Sequence, residues 1–155
     1  MASKKMLILY YSGSGNTQRM ANGIAEAVRS NTIDVTVENV EKFDTSLLPK
    51  YDGIVIGSPT YFSNVTWQVK KMIDESIMHY RGGKLKGKAA GIFTSAGTKR
   101  DGKDCLKMLE VAFGYHHGMK VIEGIVRVDG ERDGEVQKRC REYGKKLAEE
   151  ILKSG

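Results

Sequence analysis

Small hydroxyl-bearing residues and glycines are concentrated in residues 12–17, which read Ser-Gly-Ser-Gly-Asn-Thr. This stretch follows the apolar run at residues 6–10 and precedes Met20, Ile24 and Val28, which have helical spacing. A strand, such a loop and the first turn of a helix together form an anion-binding site, because free backbone N–H groups and the helix dipole point into the loop. The loop contains no lysine or arginine. It therefore favours a phosphate monoester held by neutral donors over a nucleoside triphosphate.

Two further polar loops follow apolar runs later in the chain. Residues 57–64 read Gly-Ser-Pro-Thr-Tyr-Phe-Ser-Asn, where Pro59 stiffens the loop and Tyr61 and Phe62 place two aromatic rings at its mouth. A flat aromatic ligand can stack on such rings. Residues 94–102 are rich in small residues, which let backbone N–H groups approach the polar edge of a ligand.

Apolar runs alternate with helical patterns along the chain, which predicts a parallel β-sheet with helices on both faces. The expected strands cover residues 5–11, 34–40, 53–57, 89–94 and 120–126. The expected helices cover residues 16–30, 65–79, 102–116 and 134–153, and a loop or helical turn is expected in residues 41–52. The second helix is expected to face the core with Val69, Met72, Ile73 and Ile77. Five such strands favour the order 2-1-3-4-5, in which the loops after strands 1, 3 and 4 converge on one ligand site.

Length and composition predict one domain, residues 1–155, with an ordinary 40% hydrophobic and 28% charged content. No run is long enough for a membrane span or a signal-peptide core. Cys105 and Cys140 lack CxxC spacing and are interpreted as buried apolar residues, as expected in a reducing cytoplasm. The net charge is +6, and the basic residues that produce it are not interleaved with aromatic residues. A solvated basic surface or an acidic partner explains it, and no nucleic-acid or membrane partner is expected.

Several other classes of ligand site are disfavoured by single positions. Gln18 stands where a dinucleotide fingerprint needs its third glycine, and no Walker lysine is present. A response-regulator receiver needs acidic residues after strands 1 and 3, where this chain has Ser12 and Ser58. No cluster of metal ligands is found. Residues 12–17 as a plain turn, with Asn16 or Thr17 as helix cap, remain the alternative to a phosphate site.

The three loops carry a resemblance to a known family. Residues 12–17 resemble the FMN-phosphate loop of flavodoxins, of pattern [ST]-x-[ST]-G-N-T. Residues 57–64 and 94–98 resemble the loops of the tryptophan-repressor-binding-protein branch of flavodoxin-like NAD(P)H:quinone oxidoreductases, G-[ST]-P-T-x-F-x-N and [ST]-S-x-G-T. Residues 115–119 are similar to a His-His-Gly-Met element of that branch. The resemblance covers the whole chain and implies a flavodoxin-like three-layer α-β-α sandwich that binds FMN.

The resemblance also implies roles for individual positions. The phosphate loop comprises Ser12, Gly13, Ser14, Gly15, Asn16 and Thr17. The isoalloxazine ring and ribityl chain are lined by Pro59, Thr60, Tyr61 and Phe62, and the second loop is held by Asn64. The pyrimidine edge of the ring meets Thr94, Ser95, Ala96, Gly97 and Thr98. His117, or its neighbour His116, is expected on the substrate side of the flavin, with no other catalytic residue and no metal.

Departures from the family patterns bear on function. The quinone-reductase branch usually carries an insertion after strand 2 and a longer loop after strand 5, both linked to its tetramer, and this chain has neither. Electron-transfer flavodoxins usually have an aromatic residue in the third loop and an acidic rim, where this chain has Gly97, Thr98, Lys99 and Arg100. The two cations are expected to lie near the pyrimidine edge and to make the potential of the fully reduced couple less negative.

The sequence therefore predicts a low-potential electron carrier that exchanges electrons with redox partner proteins, acidic ones among them. The alternative is an FMN-dependent NAD(P)H:quinone oxidoreductase, whose partners are NAD(P)H and a quinone. An open flavin face beside His117 favours the reductase, and an aromatic lid over the flavin favours the carrier.

Overall fold

A computed structural model describes residues 3–153, and five strands and five α-helices account for most of this part of the chain. The strands are β1 (Lys5–Tyr10), β2 (Asp34–Asn39), β3 (Gly53–Pro59), β4 (Ala89–Ala96) and β5 (Lys120–Val128). The helices are α1 (Asn16–Arg29), α2 (Trp67–Glu75), α3 (Ile77–Tyr80), α4 (Lys99–Glu110) and α5 (Asp133–Lys153). A 3₁₀ helix covers Thr45–Lys50, and a π-helical segment, Val111–His116, extends α4.

The five strands form one parallel sheet in the order β2-β1-β3-β4-β5, which confirms the predicted topology. The alternation of side chains in β1 shows how the sheet is covered. Met6 and Ile8 pack into a core on the side of α1 and α5, whereas Leu7 and Leu9 pack into a second core on the side of α2 and α4. The central strand β3 is buried along its whole length, as expected for a strand covered on both faces.

The predicted helix at residues 65–79 is interrupted at Ser76. The Ser76 hydroxyl donates a hydrogen bond to the Ile73 carbonyl, 2.6 Å away, and α3 begins at the next residue. Ile77 is consequently exposed, so the expectation that it faces the core is wrong.

The strands that carry the site end later than predicted. β3 continues to Pro59 and β4 to Ala96, because Pro59 and Ser95 remain in register as a pair. α4 begins at Lys99 rather than at residue 102, since the Thr98 hydroxyl accepts the Asp101 N–H at 3.2 Å and caps the helix. The binding loops are therefore shorter than the sequence suggests and start directly at the strand ends.

The two cysteines are buried and free, in agreement with their interpretation as apolar core residues. Burial raises the pKa of both thiols, that of Cys140 to about 11, so both stay protonated near neutral pH. Within residues 3–153, none of the helices combines the length and the apolar character needed to cross a bilayer.

Candidate functional site

The loop after β1 folds around its own first hydroxyl. Ser12 Oγ accepts the Gly15 N–H at 3.0 Å and the Gln18 N–H at 3.3 Å. Gly15 precedes α1 with φ +99°, a conformation that favours glycine. No described residue accepts a hydrogen bond from the backbone N–H of Ser14, Asn16 or Thr17. Three unsatisfied N–H donors thus lie at the positive end of a 14-residue helix, as an anion site requires.

The loops after β1, β3 and β4 meet around a cavity of about 170 Å³. The phosphate loop and the second loop contribute Ser14, Asn16, Pro59, Thr60 and Tyr61. The remaining wall comes from Ser95, Ala96, Gly97 and Asp129. The structure thus brings together residues from all three predicted loops, and it adds one residue that the sequence interpretation omitted, Asp129.

Direct hydrogen bonds hold the three loops together. Thr17 Oγ1 lies 3.0 Å from Ser95 Oγ, and the Thr60 N–H donates to the Ser95 carbonyl at 2.8 Å. The Thr94 hydroxyl donates to the Ser58 carbonyl at 2.6 Å, so the Thr60 hydroxyl donates to Thr94 Oγ1, also at 2.6 Å. Thr94 is fully buried and absent from the cavity wall. Its hydroxyl therefore positions that of Thr60.

The second loop closes in a tight two-residue turn. The Tyr61 N–H donates to the Asn64 carbonyl at 2.9 Å, and the Asn64 N–H donates to the Tyr61 carbonyl at 3.0 Å. Phe62 and Ser63 between them have φ of +52° and +63°, the geometry of a type I′ turn. The Ser63 hydroxyl donates to Asp101 Oδ1 at 2.8 Å and fixes the turn to α4. Phe62 is fully exposed at the tip, held in a conformation that bulky residues rarely adopt.

The strained turn predicts a gain in stability on substitution of Phe62. Phe62→Asn is expected to raise the free energy of unfolding of the cofactor-free protein by about 1 kcal/mol, because asparagine tolerates the left-handed conformation. Urea denaturation followed by circular dichroism measures the change. Phe62→Ala is the control, since it removes the ring and keeps the strain. Equal stabilities of the two variants would show that the turn costs nothing.

The charges around the third loop differ from those expected. Lys99 lines a separate cavity of about 960 Å³ between α4 and β5 and is not among the residues that line the cofactor cavity. The charged residue in the wall of the cofactor cavity is instead Asp129. It follows β5 directly, and Arg127 Nη1 lies 3.8 Å from its carboxylate. The end of β5 was the signal that could have revealed it.

His117 lies at the opposite end of the sheet from this cavity. It precedes Lys120, which pairs with Ala89 at the amino ends of β5 and β4. Its ring stacks on Phe113, with centroids 5.7 Å apart, and its Nε2 lies 2.9 Å from Ser76 Oγ. Because the Ser76 hydroxyl donates elsewhere, the His117 Nε2–H is the donor. The expectation that His117 faces a flavin bound by its own chain is therefore wrong, and the exposed His116 lies at the same distant end.

The buried environment of His117 predicts a loss of stability in acid. Burial, followed by the nearby His79 and His116, lowers the pKa of His117 below its ordinary value near 6.5. The unfolded chain then binds more protons than the folded one, so the free energy of unfolding is expected to fall as the pH decreases below about 6.5. Urea denaturation at pH 7.5 and pH 5.5 measures the fall. His117→Gln is expected to reduce it, and the control His116→Gln to retain most of it. An undiminished fall in His117→Gln would contradict this origin.

The donor set fits a phosphate monoester attached to a hydroxylated chain. Free N–H groups and the Ser14 hydroxyl of the first loop suit the phosphate, and the hydroxyls of Thr60 and Ser95 suit a polar chain. The half-exposed ring of Tyr61 lines the cavity, and the exposed ring of Phe62 is next to it in the chain, so both are available to an aromatic system. The residues present therefore fit FMN. Its binding loops and the strand order 2-1-3-4-5 together define the flavodoxin-like class of α/β proteins.

Comparison with known proteins agrees with this class. A family model described as "Flavodoxin domain" matches residues 7–117, and the chain belongs to the flavodoxin family. A protein named flavodoxin from Clostridium saccharobutylicum is 36% identical over 121 residues, which cover 77% of this chain and 73% of that protein. An NAD(P)H dehydrogenase (quinone) from Rhizobium rhizogenes is 30% identical over 160 residues, covering 90% of this chain and 80% of that protein.

A solved structure shows the same likeness over the full length. The flavodoxin described as a WrbA-like protein from Agrobacterium tumefaciens superposes with a TM-score of 0.86 at 25% sequence identity, covering 99% of this chain and 100% of that chain. The chain is thus similar both to flavodoxins and to flavodoxin-like quinone dehydrogenases, as its loops predict.

Proposed function

We propose that this protein binds FMN and carries electrons at low potential between redox partner proteins in a reducing cytoplasm. The observation that supports this most directly is the first loop, where three backbone N–H donors have no partner among the described residues and two of the residues that carry them, Ser14 and Asn16, line the cavity. The buried free thiols suit a reducing compartment. The similarity to a named flavodoxin supports the same function.

In this proposal the chain binds and orients the cofactor, which supplies the redox chemistry. Ser14 and Thr17 hold the phosphate with the loop amides, and the Ser12 hydroxyl proton is free to join them because only its oxygen is used within the loop. Thr60 presents an accepting oxygen toward the ribityl chain. Backbone groups from Ser95 to Thr98 meet the polar edge of the ring, and Tyr61 and Phe62 border its faces.

The alternative function is NAD(P)H:quinone oxidoreduction. It is favoured by the likeness to the Rhizobium rhizogenes protein and by the exposed rings of Tyr61 and Phe62, which offer contact area to a flat substrate. The carrier is preferred because this chain has neither the insertion after strand 2 nor the longer loop after strand 5 that the quinone-reductase branch usually carries.

Anaerobic stopped-flow mixing separates the two functions. FMN binding is first measured from the quenching of flavin fluorescence, and the loaded protein is then mixed with NADPH or NADH. The carrier is expected to stay oxidised for minutes and yet to be reduced rapidly by a catalytic amount of a ferredoxin–NADP⁺ reductase. Rapid bleaching by NAD(P)H alone, with reoxidation by a quinone, would assign the alternative. An absence of FMN binding would exclude both functions.

A further inference from the structure

The surface at the amino ends of the strands carries apolar side chains that residues 3–153 leave exposed. Ile77 and Met78 in α3 are 69% and 51% exposed, and Tyr115 is 80% exposed. The ring of His116 packs edge-to-face against Tyr80 on one side and Tyr115 on the other, at centroid distances of 6.2 and 4.9 Å. These side chains therefore form one apolar patch across α3 and the π-helical segment.

Basic residues border this patch. The turn that follows α3 contains Arg81, Lys84 and Lys86, all exposed, anchored by the fully buried Leu85 between the two lysines. The aliphatic part of the Lys86 side chain lies beside Gly118, which follows His116 and His117 in the chain. The basic turn therefore adjoins the apolar patch. Among the residues from 3 to 153, no carboxylate forms an ion pair with these three cations.

The exposed apolar side chains and the neighbouring cations together indicate what kind of partner this surface binds. We propose that this surface, formed by the apolar patch and the basic turn, docks reversibly on an anionic phospholipid membrane. Lysine and arginine bind anionic headgroups, while isoleucine, methionine and tyrosine insert at the boundary between headgroups and acyl chains. An acidic protein partner would meet the same cations, so the test below includes polyglutamate in its place. A nucleic acid fits less well, because the apolar side chains of Ile77 and Met78 cannot form hydrogen bonds to phosphate groups.

The contact is peripheral and crosses no bilayer. The sequence expectation of no membrane partner rested on the absence of a run long enough to span a membrane. The described residues contain no membrane-spanning helix, and a peripheral contact does not require one. β4 has eight residues and so spans roughly 26 Å between this surface and the cofactor cavity at its other end. Docking therefore leaves the cavity facing the solvent, accessible to soluble partners.

Co-sedimentation with vesicles tests the proposal, with phosphatidylcholine alone compared with phosphatidylcholine containing 30% phosphatidylglycerol. The protein is expected to bind the anionic vesicles at 50 mM salt and to dissociate at 500 mM salt. Lys84→Glu/Lys86→Glu is expected to weaken binding at least about 20-fold. Ile77→Ser/Met78→Ser is expected to weaken it several-fold without a change in net charge.

The matched control is Lys145→Glu/Lys146→Glu in α5, which changes the net charge equally at an exposed site on another face. It is expected to bind within about twofold of the unmodified protein, and circular dichroism verifies that each variant is folded. An equal loss of vesicle binding in the control would show that net charge alone accounts for the effect, and it would overturn the proposal. So would an absence of binding to anionic vesicles, including the case in which the protein binds single-stranded RNA or polyglutamate instead.

Discussion

Replacement of both Ser14 and Thr17 by alanine is expected to weaken FMN binding about 100-fold. In the proposed complex each hydroxyl donates a hydrogen bond to a charged phosphate, and the loss of such a bond costs about 1–2 kcal/mol. Two losses of this size correspond to roughly 30- to 900-fold in the dissociation constant. Ser14 lines the cavity, and Thr17 is buried, with its Oγ1 3.0 Å from the Oγ of Ser95, which lines the cavity as well. Fluorescence titration with FMN measures the effect.

Riboflavin serves as the internal control for this prediction, because it has the same ring and ribityl chain without the phosphate. The double variant is expected to bind riboflavin within about threefold of the unmodified protein. Thr17→Ser retains the hydroxyl and is expected to bind FMN nearly normally. If FMN and riboflavin lose affinity equally, the loop is a structural turn that supports the cavity, and the phosphate is bound elsewhere.

The parts of the site that the sequence predicted correctly are those set by local chemistry. The apolar run 54–56 predicts a strand buried on both faces, and β3 lies at the centre of the sheet. The glycines and hydroxyls of residues 12–17 predict a loop at a helix start, and Gly15 adopts the left-handed conformation there. In a parallel sheet the loops after β1, β3 and β4 follow neighbouring strands on the same side. Their convergence could therefore be predicted from the strand order alone.

The errors arise where a single tertiary contact decides the outcome. At the break between α2 and α3, Ser76 Oγ contacts the distant His117 ring as well as the Ile73 carbonyl, and periodicity does not reveal such a contact. His117 lies in the segment that precedes β5, at the amino ends of the strands. The match to a sequence motif does not indicate at which end of the sheet this segment lies. Lys99 was assigned to the third loop, but the Thr98 cap makes it the first residue of α4, where its side chain turns toward β5.

Asp129 is the omission with the greatest consequence for function. Strand 5 was expected to end at residue 126, and two further residues in β5 bring the carboxylate of Asp129 to the cavity. A side chain at Gly97 would have its Cβ 3.9 Å from Asp129 Oδ2, so the carboxylate lies beside the third loop. A negative charge there disfavours the addition of electrons to the cofactor, whereas the expected cations would have favoured it. The structure thus supports a low potential through Asp129.

Asp129→Asn is accordingly expected to raise the midpoint potential of the bound FMN by roughly 20–40 mV for one electron. The estimate corresponds to about 0.5–1 kcal/mol, a small value because the carboxylate is largely exposed and screened by water. Potentiometric titration under anaerobic conditions measures the shift. Asp133→Asn is the matched control: it removes the other carboxylate near Arg127, 3.7 Å from Nη2, and Asp133 is absent from the cavity wall. An equal rise in both variants would mean that Arg127, relieved of a partner, acts on the flavin, and that Asp129 has no direct effect.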